Sequence, residues 1–163
     1  MESVVMVEPD GATHVAAYVV FDDTILVQRR AADRRFLPGA WDVIGGAIEG
    51  HETAIDALLR EVSEEAGLEV AAVSDWIIRT EFEADGRTCV EIGALVWPRG
   101  GGLKLKLEAG KASAFAFVGD IASFVEDNEA RGYVPLFGET VGVALQKLRS
   151  GVDLGRRSVA EFD

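Results

Sequence analysis

Apolar residues recur along the chain with two different periods. His14 to Phe21 (HVAAYVVF) is a nearly unbroken run of β-branched and small apolar residues, which predicts a buried strand. Asp22-Asp23 supplies turn chemistry, and Thr24 to Gln28 reads as the second arm of a hairpin. Arg29 to Ala40 is polar and contains Pro38-Gly39, so a loop is expected there. Trp41 to Ile44 predicts a short strand that stops at Gly45-Gly46. From Thr53 to Ala66 the period becomes helical, with Ile55, Leu58, Leu59, Val62 and Ala66 forming one apolar stripe. Thr53 can cap the start, with Asp56 three residues on as its capping-box partner, and Gly67 can take the left-handed conformation that ends a helix.

Strands are expected again over Trp76 to Phe82 and Thr88 to Trp97, joined through Ala84-Asp85-Gly86-Arg87. Arg99 to Gly102 reads as a glycine-rich turn and Ala114 to Val118 as a short strand. Ile121 to Glu126 and Thr140 to Leu148 read as helices, and Gly151 to Asp163 as a polar tail. No repeat or linker interrupts this order. It predicts a mixed sheet sandwiched by helices in one α/β or α+β domain spanning 1–163.

Composition narrows the function. Of 163 residues, 48% are hydrophobic and 27% charged, an ordinary globular mixture. Lys and Arg number 16 against 28 Asp and Glu, a formal charge of −12. That balance argues against a nucleic-acid polymer or an anionic membrane as partner. It leaves room for a small phosphorylated ligand, because a metal can supply local positive charge. Cys89 is the one cysteine, so no internal disulfide forms, which suits a reducing compartment; it reads as a small buried hydrophobe. The first residues lack a basic region followed by an apolar stretch, and no run reaches the roughly 18 apolar residues of a membrane span. A cytoplasmic protein is expected.

The candidate chemistry lies in GGAIEGHETAIDALLREVSEEAGL, residues 45–68. Glu61, Glu64 and Glu65 are spaced three and four apart, so a helix places them on one face, expected to point away from the apolar stripe. Like charges at that spacing repel, and only Arg60 interleaves. A hard divalent cation that prefers oxygen ligands would reconcile them. Gly45-Gly46 lets backbone approach a ligand closely, and Glu52 stands at the helix entrance within reach of Arg60.

Taken together these residues resemble the Nudix hydrolase family. Its motif G-x5-E-x7-R-E-U-x-E-E-x-G-U, with U aliphatic, is filled by Gly46, Glu52, Arg60, Glu61, Val62, Glu64, Glu65, Gly67 and Leu68. The resemblance implies an α/β/α sandwich with a mixed β-sheet and a loop-helix-loop catalytic motif, with the domain core over about 12–150. It implies hydrolysis of a pyrophosphate bond in a nucleoside diphosphate linked to another moiety, with Mg²⁺ or Mn²⁺ as cofactor. Candidate substrates are a nucleoside triphosphate, a nucleotide sugar or ADP-ribose, and a dinucleoside polyphosphate. By position, Glu61, Glu64 and Glu65 would bind metal, with the Gly45 carbonyl as a further ligand. Arg60 and Glu52 would pair and hold the carboxylates in place. Glu61 is the leading base.

Other positions follow the resemblance more loosely. Glu108 lies where an acidic loop often adds a metal ligand or base, although it reads equally as a surface glutamate; Glu126 and Glu129 are weaker candidates. Arg29-Arg30 ends the second strand, where a basic residue often contacts phosphate, and Arg30 is favoured of the two. Trp41 reads either as a packing aromatic or as a substrate contact. Ile44 replaces a common proline, and His51 a common glycine; His51 reads as an exposed loop residue. With His14 and His51 as the only histidines, a histidine zinc site is not expected. The alternative is a non-catalytic nucleotide sensor of the same fold; an isomerase-type relative finds no suitably placed cysteine. Family members are often dimers, so a homodimer is an expectation.

Overall fold

Strands β1 (His14–Phe21) and β2 (Thr24–Arg30) form the expected hairpin, and their parting organises the rest of the sheet. The structure is a computed structural model that describes residues 7–100, 105–106, 108–133 and 136–162. The two strands pair only beside the turn, Val20 with Ile25 and Phe21 with Thr24. Beyond it they splay. β3 (Trp41–Asp42) pairs with β2 through Gln28 and Arg29, whereas β4 (Ile44–Ala47) pairs with β1 from Ala17 back to His14. The stretch expected as one strand over Trp41 to Ile44 is therefore two short pieces. It crosses from one side of the split to the other at Val43, so it cannot pair continuously with either.

The remaining strands are β5 (Val70–Ala84), β6 (Arg87–Pro98), β7 (Ala112–Val118) and β8 (Arg157–Ser158). The order is β3-β2-β1-β6-β5-β8, with β4 on β1 and β7 on β2; β1 and β6 run parallel and the other pairs antiparallel. The sheet is thus mixed, as expected. Asp85 and Gly86 join β5 to β6 with φ of 51° and 74°, the left-handed pair that a two-residue hairpin turn requires. β5 starts well before Trp76. Its register slips three times between Val70 and Ile78, which breaks the alternation by which a strand is read.

Helices α1 (Ala54–Ala66) and α3 (Leu136–Arg149) cover opposite faces, and α2 (Ala122–Ala130) leans on α3. Alternate residues of β1 feed two cores. Val15, Ala17 and Val19 pack with Leu58 and Val62 under α1. Ala16, Tyr18 and Val20 pack with Val141 and Leu145 under α3. α3 begins before Thr140 because buried Phe137 anchors its first turn. Gly138 sits there against Val125 of α2, where a Cβ would lie 2.6 Å from a valine methyl.

Residues 151–163, expected as a polar tail, instead carry β8, which pairs with β5, and a 3-10 turn (Val159–Phe162). Val159 and Phe162 pack against the α1-side core and Leu154 against the α3-side core, and these scattered apolar residues follow no period that would have signalled it. Part of the glycine-rich turn at 99–102 lies outside the described residues. Cys89 is buried, as expected. Among the described residues, no helix is long and apolar enough to cross a membrane.

The α1 capping box is closed in both directions. The Asp56 N–H donates to Thr53 Oγ1 at 3.1 Å, and the Thr53 N–H to Asp56 Oδ2 at 3.2 Å. Gly67 (φ 68°) ends the helix by donating to the Ser63 carbonyl at 2.9 Å. Thr53→Ala should lower unfolding stability by about 1 kcal/mol, read from the urea midpoint. An unshifted midpoint would remove the cap from the causes of the helix start.

Candidate active site

The wedge between β1 and β2 is a cavity of about 400 Å³. Its walls come from β1 to β6 together with α1, and include Gly45, Gly46, Glu61 and Glu65. α1 lies above the glycine pair, and both glycines answer to steric demand. A Cβ on Gly45 would fall 2.3 Å from the Val15 carbonyl oxygen, and one on Gly46 2.3 Å from Glu61 Oε1.

The carboxylates of α1 are not gathered on a solvent face. Glu61 and Glu65 are buried with Leu58 and Val62 on the side that meets the sheet, and only Glu64 is exposed; Ile55 and Leu59 of the expected stripe are only half-buried. The expectation that all three acids point away from the apolar stripe is thereby corrected. The cavity under the helix admits polar groups on that side.

Arg60 holds the group together. Its Nε and Nη2 donate to the two Glu52 oxygens at 2.7 and 2.9 Å, a bidentate pair. Its Nη1 donates to Glu61 Oε1 at 2.9 Å and Glu64 Oε2 at 3.2 Å, and Nη2 also reaches the Ala47 carbonyl at 3.0 Å. Glu52 accepts further from the Glu49 N–H at 2.8 Å. These bonds hold the Glu52 carboxyl below its usual range and push the Arg60 guanidinium further up. Burial raises Glu61, with Arg60 opposing the rise. The expected Glu52–Arg60 pair is thus present.

Glu65 takes a different set of partners. Its Oε2 accepts from the Gly45 N–H at 2.9 Å and from Gln28 Nε2 at 3.3 Å. Burial dominates, and the nearby charges of Glu61, Asp42 and Glu108 add to it, so the carboxyl is pushed up to about 8. Glu108 lies near Glu65 and pairs with Lys111 at 3.2 Å through Oε1, while its buried Oε2 has no partner among the described residues. Glu126 and Glu129 are exposed on α2, and neither lines the cavity. Nor does exposed His51.

The paired arginines part company because successive strand residues face opposite ways. Arg30 points into the cavity and lies 3.8 Å from Asp42. Arg29 turns to the other face, pairs with Asp127 of α2 and lies over the Trp41 ring at 5.1 Å. Trp41 Nε1 donates to Asp127 at 3.1 Å and its ring meets Phe124 edge-on, so this tryptophan packs and does not line the cavity. Buried Asn128 bonds the Trp41 backbone at both N–H (2.8 Å) and C=O (3.1 Å), which fixes β3. Gln28, Asp42, Glu91, His14, Phe36, Phe82 and Lys111 also line the cavity. They lie outside the motif, and strand registers that the sequence does not show, together with the loops that carry Phe36 and Lys111, bring them there.

A glycine-backed acidic helix with an arginine strut, set over a split mixed sheet, is a loop-helix-loop site rich in hard oxygen donors. The sequence profile of the NUDIX domain matches residues 12–97, and the chain belongs to that family. Nucleoside triphosphatase NudI of Enterobacter sp. is 38% identical over 82 residues, which are 47% of this chain and 58% of that protein. The chain thus spans little more than half the length of that relative. A NUDIX-family hydrolase from Clostridium perfringens superposes with TM-score 0.64 at 16% identity, over 83% of this chain and 97% of that one. A bifunctional NMN adenylyltransferase/ADP-ribose pyrophosphatase from Francisella tularensis, in complex with AMP and a Mn ion, superposes with TM-score 0.59 at 17% identity; the match covers 84% of this chain and 42% of that one. At these identities the solved structures establish the fold, the α/β/α sandwich with a mixed sheet.

A carboxyl that binds its proton more tightly folded than unfolded lowers stability as pH rises between the two pKa values. Glu65 and Glu91 are both pushed up to about 8, chiefly by burial. Chelator-treated protein should therefore lose urea stability from about pH 5 to pH 8, and Glu65→Gln should flatten part of that slope. A level profile in the parent would contradict the burial assigned to these groups.

Proposed function

We propose that this chain hydrolyses a pyrophosphate bond in a nucleoside diphosphate linked to another moiety, with Mg²⁺ or Mn²⁺ as its cation. The observation that carries the reading is the Arg60 network, which holds Glu61 and Glu64 beside a glycine-backed cavity despite their mutual repulsion. The donor set fits a hard cation: every donor is oxygen, Glu108 Oε2 is buried without a partner, and Gly46 leaves open the space a Cβ would take from Glu61. Among the described residues no three acidic or histidine side chains already form a closed metal cage. Some ligands would thus come from substrate phosphate and water, as suits Mg²⁺.

Glu61, Glu64 and Glu65 would hold the cation, with the Gly45 carbonyl and Glu108 as further donors. When bound, it supplies positive charge against the phosphate oxygens and makes a water more acidic. Arg30 faces the cavity as the phosphate contact, in place of Arg29 and Trp41, which face away from it. Glu61 Oε1 accepts from Arg60, and its other oxygen would take a proton from the attacking water. Arg60 and Glu52 position these carboxylates. The work left to the protein is placement and charge, as phosphoryl transfer requires.

The NudI relative, named a nucleoside triphosphatase, makes nucleoside triphosphates the first substrates to test. With Mg²⁺ or Mn²⁺, purified protein should split the pyrophosphate bond of a member of a panel of nucleoside diphosphate derivatives into two phosphate-bearing products, pyrophosphate and a nucleoside monophosphate from a triphosphate, or a sugar phosphate and a nucleoside monophosphate from a nucleotide sugar. Glu64→Gln should cut kcat about a hundredfold or more with the urea midpoint little changed, because Glu64 is exposed. Full activity in that variant would contradict the assignment. Binding without turnover in the parent would favour the sensor of the same fold.

A further inference from the structure

Three cations line the cavity outside the Arg60 network: Arg30 of β2, Arg34 of the loop after it, and Lys111 just before β7. The loop is closed at its base, where the Arg30 N–H donates to the Ala40 carbonyl at 2.8 Å and the Gly39 N–H to the Arg30 carbonyl at 3.0 Å. Inside it, the Arg34 N–H donates to the Ala31 carbonyl at 3.1 Å, a tight turn that brings Arg34 round. The Lys111 carbonyl accepts from the Ala31 N–H at 2.9 Å and from Arg34 Nη1 at 3.4 Å, so Arg34 and Lys111 are neighbours. Arg30 Nε donates to the Phe36 carbonyl at 2.8 Å, and Asp42 stands 3.8 Å from its Nη1. Half-buried Arg34 forms no ion pair with a described residue, and its single bond to Lys111 leaves most of its donors unused among those residues. Burial lowers the Arg30 guanidinium; Asp42 and Glu65 oppose the fall, and the charge of Arg34 adds to it. Like charges brought together away from bulk water repel one another, and an anion between them removes that cost.

We propose that Arg34, with Arg30 and Lys111 beside it, holds the free terminal phosphate of the substrate and so selects nucleoside triphosphates over diphosphates capped by a sugar. The inference rests on the proposed nucleotide hydrolysis and adds the class of substrate. Arg30 stands between the two ends of the cavity, because the charges of Glu65 and of Arg34 both act on it. A phosphate chain that starts beside the α1 carboxylates and passes Arg30 therefore ends at Arg34. There a terminal phosphate presents three acceptor oxygens and a second negative charge to a guanidinium fork. A sugar in the same place presents hydroxyls and leaves the charge of the arginine unanswered. A solvated cation would discriminate little, but Arg34 is half-buried in the cavity wall, where screening is weaker. The two ends of the cavity are thus complementary, acids where a cation would sit and bases where the chain of phosphates runs out.

A nucleoside triphosphate and its γ-methyl ester form the sharpest test, because the methyl group removes one charge from the terminal phosphate and alters nothing else in the chain. For whichever of ATP, GTP, CTP and UTP is split fastest with Mg²⁺, kcat/KM should exceed that of its ester, and that of the diphosphoglucose of the same base, by about tenfold or more. Arg34→Gln should bring both ratios near one through a raised KM for the triphosphate, with the urea midpoint unchanged. Arg34→Lys, which keeps the charge but not the fork, should retain part of the preference. Calorimetry of pyrophosphate with Mg²⁺, which ends in the same free phosphate and needs no turnover, should show about tenfold weaker binding in Arg34→Gln. A capped substrate as efficient as the triphosphate in the parent, unchanged ratios in Arg34→Gln, or equal pyrophosphate binding by parent and variant would overturn the proposal. If no nucleotide is hydrolysed, the proposed activity fails on its own, and the pyrophosphate titrations still decide whether Arg34 holds a terminal phosphate.

Discussion

A single guanidinium makes the site tenable. Arg60 reaches Glu52, Glu61 and Glu64 together with the Ala47 carbonyl, and thereby ties α1 to the loop before it and to the end of β4. A lysine could neutralise charge there, but its point charge could not present the planar fork that grips Glu52 with two nitrogens while a third nitrogen serves Glu61 and Glu64. The contribution lies more in direction than in stability. Glu64 remains exposed, and an exposed ion pair contributes little. What Arg60 secures is the orientation of carboxylates that would otherwise swing apart.

The sheet supplies the other half of the constraint. Because β1 and β2 separate after the hairpin, the chain from Trp41 to Ala47 must cross the gap, and that crossing leaves a cavity where an unbroken sheet would have a wall. Gly45 runs so close to β1 that no side chain fits, and Gly46 passes under Glu61. The glycine pair and the acid helix are thus one device. Asn128 stiffens it from outside by binding both backbone groups of Trp41.

Local chemistry made much of this legible in the sequence. Thr53, Asp56 and Gly67 mark the ends of α1 by bonds within a few residues, and the structure closes those bonds. The motif places Arg60 against Glu52 through a spacing that a loop and two helical turns fix. Less local features stayed hidden. Which face Glu61 and Glu65 take depends on a cavity opened by strand splaying. Arg29 and Arg30 look alike until β2 assigns them to opposite faces. Three slips of register in β5 erased the period that would have shown its first half. Glu91 and Gln28 meet in one cavity only because β6 lies beside β1 and β2 parts from it.

Arg60 acts as an orienting strut, and removing a positive charge from among acids separates that role from simple neutralisation. The direct measurement is the Mn²⁺ dissociation constant of the parent and of Arg60→Gln, read by electron paramagnetic resonance. If Arg60 sets the geometry of the cation ligands, the variant binds Mn²⁺ more weakly, by about ten- to a hundredfold, although its site is more negative. Equal or tighter binding in the variant would contradict the strut, because charge alone would then govern the site.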